Sequence, residues 1–242
     1  MPHPLHMMGQ MTPERARQRS LFSFYLTAKE RVIEEGYWPE ICIDLGMVTH
    51  TDITPSSFLR EYAWVVLSAG LSERVVRARF PAVAEAFEWW TDPGFIVRRS
   101  SACRRAALKA FGNERKIDAI LVTTQHVDGG RFPALQGALL EGRLDSLAEL
   151  PFMGPATTRH LAKNLGANVA KPDRHLKRIA LAAGFAETDD LCETLSACSG
   201  DTHAVVDSVL WRFAVLERGY LGIMWHLGAS VARPKGQECV PA

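Results

Sequence analysis

Between Leu150 and Arg178 the chain carries a single acidic residue, Asp173. Arg159, Lys163, Lys171, Arg174, Lys177 and Arg178 share that span, together with His160 and His175. A carboxylate in such a field can stabilise a developing cation and orient or deprotonate a water. The cations around it suit a polyanion, and binding of that kind weakens with salt. Taken alone, Asp173 also fits a plainer role, because an acidic residue in the first turn of a helix complements the helix dipole. A second basic group comprises Arg98, Arg99, Arg104, Arg105, Lys109, Arg115 and Lys116. It reads equally well as a polyanion contact or as a solvated helical face.

The whole chain hides this asymmetry. Its 28 Lys and Arg against 27 Asp and Glu leave a formal net charge of +1. Any claim of nucleic-acid binding therefore rests on where charge lies, not on its total. The 242 residues, 47% of them hydrophobic, suit one large helical domain or two small lobes sharing a cleft. Cys42, Cys103, Cys192, Cys198 and Cys239 form no CxxC pair and no paired framework, which predicts reduced thiols. The N-terminal MPHPLHMMGQ has no apolar leader core, and no stretch approaches the ~20 apolar residues of a membrane span. The expectation is a cytoplasmic monomer without membrane contact, nucleoid-associated if it binds DNA.

The elements that position Asp173 follow from helical periodicity and punctuation. Residues 1–12 have no period and read as a flexible N-terminus. A helix is predicted from about Pro13 to Glu35, burying Leu21, Phe24, Tyr25, Ala28 and Val32, with Gly36 closing it. A short helix is expected around Pro39–Leu45. Thr54-Pro-Ser-Ser57 starts a helix through Phe58, Tyr62, Val65 and Val66 to Ala69, which Gly70 ends. Ser72 caps a short helix that Pro81 interrupts, and another runs from Pro81 to Trp90. A break at 91–94 precedes helices at about 100–111, 113–129 and 131–141. Further helices are predicted from about 145 to 150 and at 155–165, 172–183, 188–198 and 201–218. No strand alternation of useful length appears, so the fold class is all-α.

Leu150-Pro-Phe-Met-Gly-Pro-Ala-Thr-Thr-Arg-His-Leu-Ala-Lys-Asn-Leu-Gly166 reads as a short helix end, a tight turn at Gly154 and a second helix from Pro155. The first amides of that second helix have no intrahelical partners and lie at the positive end of its dipole. Such a terminus can hold a phosphate without a basic side chain. Val169-Ala-Lys-Pro-Asp-Arg-His-Leu-Lys-Arg-Ile-Ala180 follows, with a helix predicted to begin at Pro172 and Asp173 in its first turn.

This pair of segments resembles the helix-hairpin-helix DNA glycosylase superfamily (HhH-GPD), which includes endonuclease III and the adenine, 8-oxoguanine and alkyladenine glycosylases. That family carries a leucine-proline-glycine-x-glycine hairpin and, beyond it, a valine- or proline-aspartate helix start. Leu150–Gly154 and Pro172-Asp173 look like these, and His175 matches a histidine frequent in several branches. Phe58–Ala69 looks like the helix leading into the family's minor-groove loop, Asn113–Ile120 like its helix with an early lysine, and Val206–Arg212 like a terminal helix. The resemblance covers roughly residues 54–215.

It implies an all-α fold of two helical lobes with a DNA-binding helix-hairpin-helix, as one domain over 13–230 followed by a tail at 231–242. It also implies hydrolysis of the N-glycosidic bond of a damaged or modified base flipped out of double-stranded DNA, with Asp173 as the catalytic carboxylate. Phe152, Met153, Gly154, Ala156, Thr157, Lys163, Arg174, His175 and Lys177 would contact DNA. Gly70-Leu71 sits where the family places its intercalating residue, although Leu71 reads equally well as core. Tyr25, Tyr37, Trp38 and Trp64 are base-pocket candidates that read more readily as core aromatics.

Three departures matter. Phe152 replaces the first hairpin glycine and resists positive φ, which puts the turn and its monovalent cation in question. Ala156 stands where bifunctional members carry a lysine, so no Schiff base can form there; Lys163 and Lys171 are the nearest substitutes. Cys192 and Cys198 are followed only by Cys239, which cannot complete a four-thiolate iron–sulfur cluster. No other cofactor or metal is expected. A glycosylase for hypermodified phage bases acting in defence, a non-catalytic DNA-binding module and a helical protein-interaction domain remain alternatives.

Overall fold

The computed structural model describes residues 12–42 and 53–231. The described residues form helices and turns with no strand, in accord with the all-α expectation. The chain divides into two compact units, Met1–Ile41 with Arg174–Ala242 and Cys42–Asp173. Most of the 1–12 segment, part of the helix expected at Pro39–Leu45 and all of the tail beyond Val231 lie outside the described residues.

The first unit contains α1 (Pro13–Glu34), the short α2 (Trp38–Cys42), which runs up to the unit boundary, and, after the chain returns, α11 (Arg174–Ala183), α12 (Thr188–Ser199), α13 (His203–Leu216) and α14 (Tyr220–His226). Thr12 caps α1 by accepting from the Arg15 amide at 3.3 Å, and Pro13 opens it. The predicted face of Leu21, Phe24, Tyr25, Ala28 and Val32 is buried. It packs on α13, where Phe24 meets Phe213 edge-on at 5.6 Å. Lys29 and the Tyr25 hydroxyl both reach Asp201, at 2.8 and 2.6 Å, tying α1 to the corner between α12 and α13. Burial, and then that carboxylate, push the Tyr25 phenol up.

The second unit is built around α3 (Pro55–Ser68). Thr54 accepts from the Ser57 amide while Ser57 Oγ accepts from the Thr54 amide, at 3.1 and 2.9 Å, and these reciprocal bonds fix the helix start. Phe58, Leu59, Tyr62, Ala63, Val65 and Val66 are fully buried. They pack among α4 (Glu73–Ala86), α7 (Glu114–His126) and α10 (Pro155–Asn164). The remaining helices of the unit are α5 (Pro93–Arg98), α6 (Ser100–Ala110), α8 (Phe132–Leu140) and α9 (Asp145–Ala148).

Several boundaries differ from expectation. Pro81 does not interrupt a helix but lies inside α4. Arg77, Ala78 and Pro81 are exposed, so water can satisfy the carbonyl that loses its amide partner. The helix expected to reach Trp90 stops at Ala86, and Glu88, Trp89 and Trp90 turn left-handed with φ of 47, 55 and 56°. Burial of Trp90 against Phe87, stacked at 5.4 Å, holds that turn. Asp92 then caps α5 by accepting from the Phe95 amide at 2.9 Å, giving a helix where a break was expected. Val127–Arg131 forms a π-helical turn joining α7 to α8, relieved by Gly130 at φ 87°.

Candidate nucleic-acid interface

The hairpin lies within the second unit. Leu150 is buried, and the chain turns through Pro151, Phe152, Met153 and Gly154 into α10. Phe152 adopts φ 63°, so the phenylalanine takes the left-handed conformation its side chain disfavours and the turn is kept. Four hydrogen bonds hold it. The buried Tyr62 hydroxyl donates to the Pro151 carbonyl at 2.7 Å, and burial pushes that phenol up, keeping its proton on. Thr157 Oγ donates to the Phe152 carbonyl at 2.8 Å and accepts from the Gly154 amide at 2.8 Å. The Met153 amide donates to the Leu150 carbonyl at 3.1 Å.

What the turn presents follows from what it consumes. Pro155 has no amide hydrogen, and the Thr158 amide donates to Gly154 at 2.9 Å. Gly154 has no side chain to cap the helix, so the amides of Ala156 and Thr157 are the open donors at the start of α10. Phe152, 41% exposed, stands beside them. The Met153 side chain, among the expected DNA contacts, is buried in the core of this unit. The carbonyls of Leu150, Pro151 and Phe152 each accept one protein donor, which leaves each oxygen a second lone pair.

Asp173 ends the same unit. The segment leading to it is strapped to α10: Ala167 donates to Ala162 at 2.9 Å, and Arg159 donates to the Ala170 carbonyl at 3.3 Å. The Asp173 amide then donates to the Lys171 carbonyl at 2.7 Å. This tight turn around Pro172 delays the helix, so α11 begins at Arg174 and the half-buried Asp173 precedes it instead of sitting in its first turn. Half-buried His160 on α10 has its imidazole held well below the usual histidine range by burial, and then by Lys171 and Lys163. The charges of these two lysines thus act on His160 from the strap and the hairpin helix.

At the end of α3, Gly70 turns left-handed at φ 75° and the Leu71 side chain is 45% exposed. Leu71 is therefore not a core residue. Part of the second basic group is engaged internally. Arg104 pairs with Asp118 at 2.6 Å and with Glu114 at 3.0 Å, raising the guanidinium pKa and lowering that of Asp118. Arg99 lies over the Phe95 ring at 5.2 Å, Arg98 is 3.7 Å from Asp92, and Lys116 is buried. Arg105, Lys109 and Arg115 are exposed.

Helix α11, in the first unit, has the opposite character. Leu176, Ile179, Ala180 and Ala183 are buried, and Arg174, Lys177, Arg178 and Leu181 share the exposed face. Arg174 Nε donates to His175 Nε2 at 3.3 Å, and the His175 ring lies 5.9 Å from that of Tyr220. The base-pocket candidates are scattered in character. Tyr25 is sealed in the core of the first unit, and Tyr37 lies under the Arg212 guanidinium at 4.2 Å. Trp38 is exposed in the first unit. Trp64, in the second, packs edge-on against Phe80 at 5.2 Å.

Sequence reasoning missed Tyr62, Thr157 and Lys116 as supports of this surface. Thr157, among the expected DNA contacts, braces the turn through its hydroxyl. Among the described residues, Cys103, Cys192 and Cys198 form no disulfide, no cluster of three metal-ligating side chains occurs, and no helix is long and apolar enough to cross a membrane. Comparison with protein-family models, with curated proteins and with solved structures finds no match for this chain.

Proposed function

We propose that this protein is a monofunctional DNA glycosylase of the helix-hairpin-helix type, hydrolysing the N-glycosidic bond of a modified base flipped from duplex DNA. The observation that carries the reading is the strap. Asp173 closes a segment bound to the same helix whose open amides suit a phosphate. A phosphate on Ala156 and Thr157 would set the register of the backbone. Arg174, Lys177 and Arg178, on the exposed face of α11, offer further phosphate contacts.

The chemistry follows from one carboxylate. As the bond between C1′ and the base nitrogen breaks, its electron pair leaves with the base and C1′ becomes oxocarbenium-like. The Asp173 carboxylate stabilises that charge and takes a proton from the water that adds to C1′. The departing base is protonated from solvent. No amine stands at position 156, so the product is an intact strand with an abasic site. The target base must leave the stack to be reached, and exposed Leu71 is suited to fill the gap.

A panel of duplexes, each carrying one modified base, tests the reading by base release with and without alkali. The expected result is release from at least one lesion, with strand cleavage only after alkali. Tight, salt-sensitive binding without release from any duplex would favour the non-catalytic binding module.

A further inference from the structure

Lys116 is in an unfavourable place for its own helix. It lies in the first turn of α7, where Asn113 caps the helix by accepting from the Lys116 amide at 3.2 Å. A cation there opposes the positive end of the α7 dipole. The side chain is also 5% exposed, and burial lowers its pKa. Neither α7 nor the core gains from a charge at this point.

The gain lies at the other end of the side chain. Its ammonium donates to the Leu67 carbonyl at 2.8 Å and to the Ala69 carbonyl at 2.6 Å, and faces the Phe111 ring at 5.9 Å. Leu67 and Ala69 flank the end of α3, where the dipole is negative and carbonyls lack helical partners. The carbonyl between them, on Ser68, accepts from the Leu71 amide at 3.1 Å. All three carbonyls are thereby satisfied, and the left-handed Gly70 and exposed Leu71 follow directly.

We propose that Lys116 is the positioning residue for the Gly70–Leu71 loop, stiffening the end of α3 so that Leu71 can enter a base stack without folding back. The proposal rests on the glycosylase reading. Energy spent unstacking a base is recovered only if the inserted side chain holds its place, and two charge-assisted bonds to the carbonyls on either side of Ser68 supply that rigidity.

The test compares the full-length wild type with Lys116→Met, Leu71→Ala and the double variant, in single turnover, on a released base placed either in a normal pair or in a mismatch. Lys116→Met should lose roughly tenfold on the paired target, the scale of one lost stacking contact, and little on the mismatched one, which is already cheaper to unstack. The double variant should be no worse than either single one, and Lys116→Arg, which keeps the cation, should recover much of the loss. Amide exchange at Gly70 and Leu71 should quicken in Lys116→Met. Equal losses on both targets, or additive losses in the double variant, overturn the proposal while leaving the glycosylase reading intact. If Lys116→Met does not fold, Lys116→Gln carries the same comparison. A wild type that releases no base from any duplex defeats the glycosylase reading instead. In that case unchanged exchange at Leu71 in the variant would overturn the loop tie as well.

Discussion

Phe152 offers a measurable consequence of the hairpin geometry. It holds φ 63° without being glycine, and a non-glycine residue pays about 1–2 kcal/mol in that region. With 41% of its surface exposed, the ring still buries roughly 120 of the ~200 Å2 an aromatic side chain offers. At about 25 cal/mol per Å2 that contributes up to ~3 kcal/mol. Phe152→Ala and Phe152→Gly both lose the ring, so both should unfold earlier in urea than the wild type. They differ in the backbone alone. Glycine removes the left-handed cost but adds about 0.4–1 kcal/mol of unfolded-state entropy. The glycine variant should therefore be the more stable of the two by about 0.5–1 kcal/mol. Urea unfolding followed by tryptophan fluorescence reads the difference directly. If the alanine variant equals or exceeds the glycine variant, Phe152 is not held left-handed and the account of the turn is wrong.

Two further outcomes follow from charge. The folded His160 imidazole is harder to protonate than an unfolded one, whose pKa is about 6.5. Above that pH both states are neutral; below it the unfolded state takes the proton first, so stability falls with acid by up to ~1.4 kcal/mol per pH unit. His160→Gln should flatten the pH dependence of the urea midpoint between pH 7.5 and 5.5, and an unchanged slope would show that the imidazole is open to solvent. On α11, Lys177→Ala or Arg178→Ala should weaken binding to all duplexes alike and reduce the slope of log affinity against log salt by about one per lost phosphate contact; a sequence-selective loss with an unchanged slope would count against phosphate binding there.

Much of the helical framework was legible because it follows local rules. The buried face of α1 repeats at helical spacing, and Thr54-Pro55 announces α3. What was hidden depends on distance or context. The Tyr62 hydroxyl that supports the hairpin lies 89 residues from Pro151, and nothing local to either residue marks the bond. Lys116 announces a charge but not its destination, which lies 47 and 49 residues away at Ala69 and Leu67. Pro81 signals a break, yet exposure on the solvent face of α4 lets the helix continue. The left-handed Glu88–Trp90 turn contains no glycine and is held by tertiary burial of Trp90. Helix α14, Tyr220-Leu-Gly-Ile-Met-Trp-His226, is nearly apolar throughout and contains a glycine, so it shows no helical contrast between faces. For the candidate site the residue types and order were readable, whereas the strap that joins Asp173 to α10 was not.

The central claim concerns the charge of Asp173, and Asp173→Asn isolates it. Asparagine has nearly the same size and ranks with aspartate as a residue preceding a helix, so the start of α11 should survive the change. On any duplex from which the wild type releases a base, the account predicts that the Asn variant loses base release while binding the same duplex as tightly or more tightly, because a negative charge near phosphates has gone. Ordinary turnover by Asp173→Asn would contradict it.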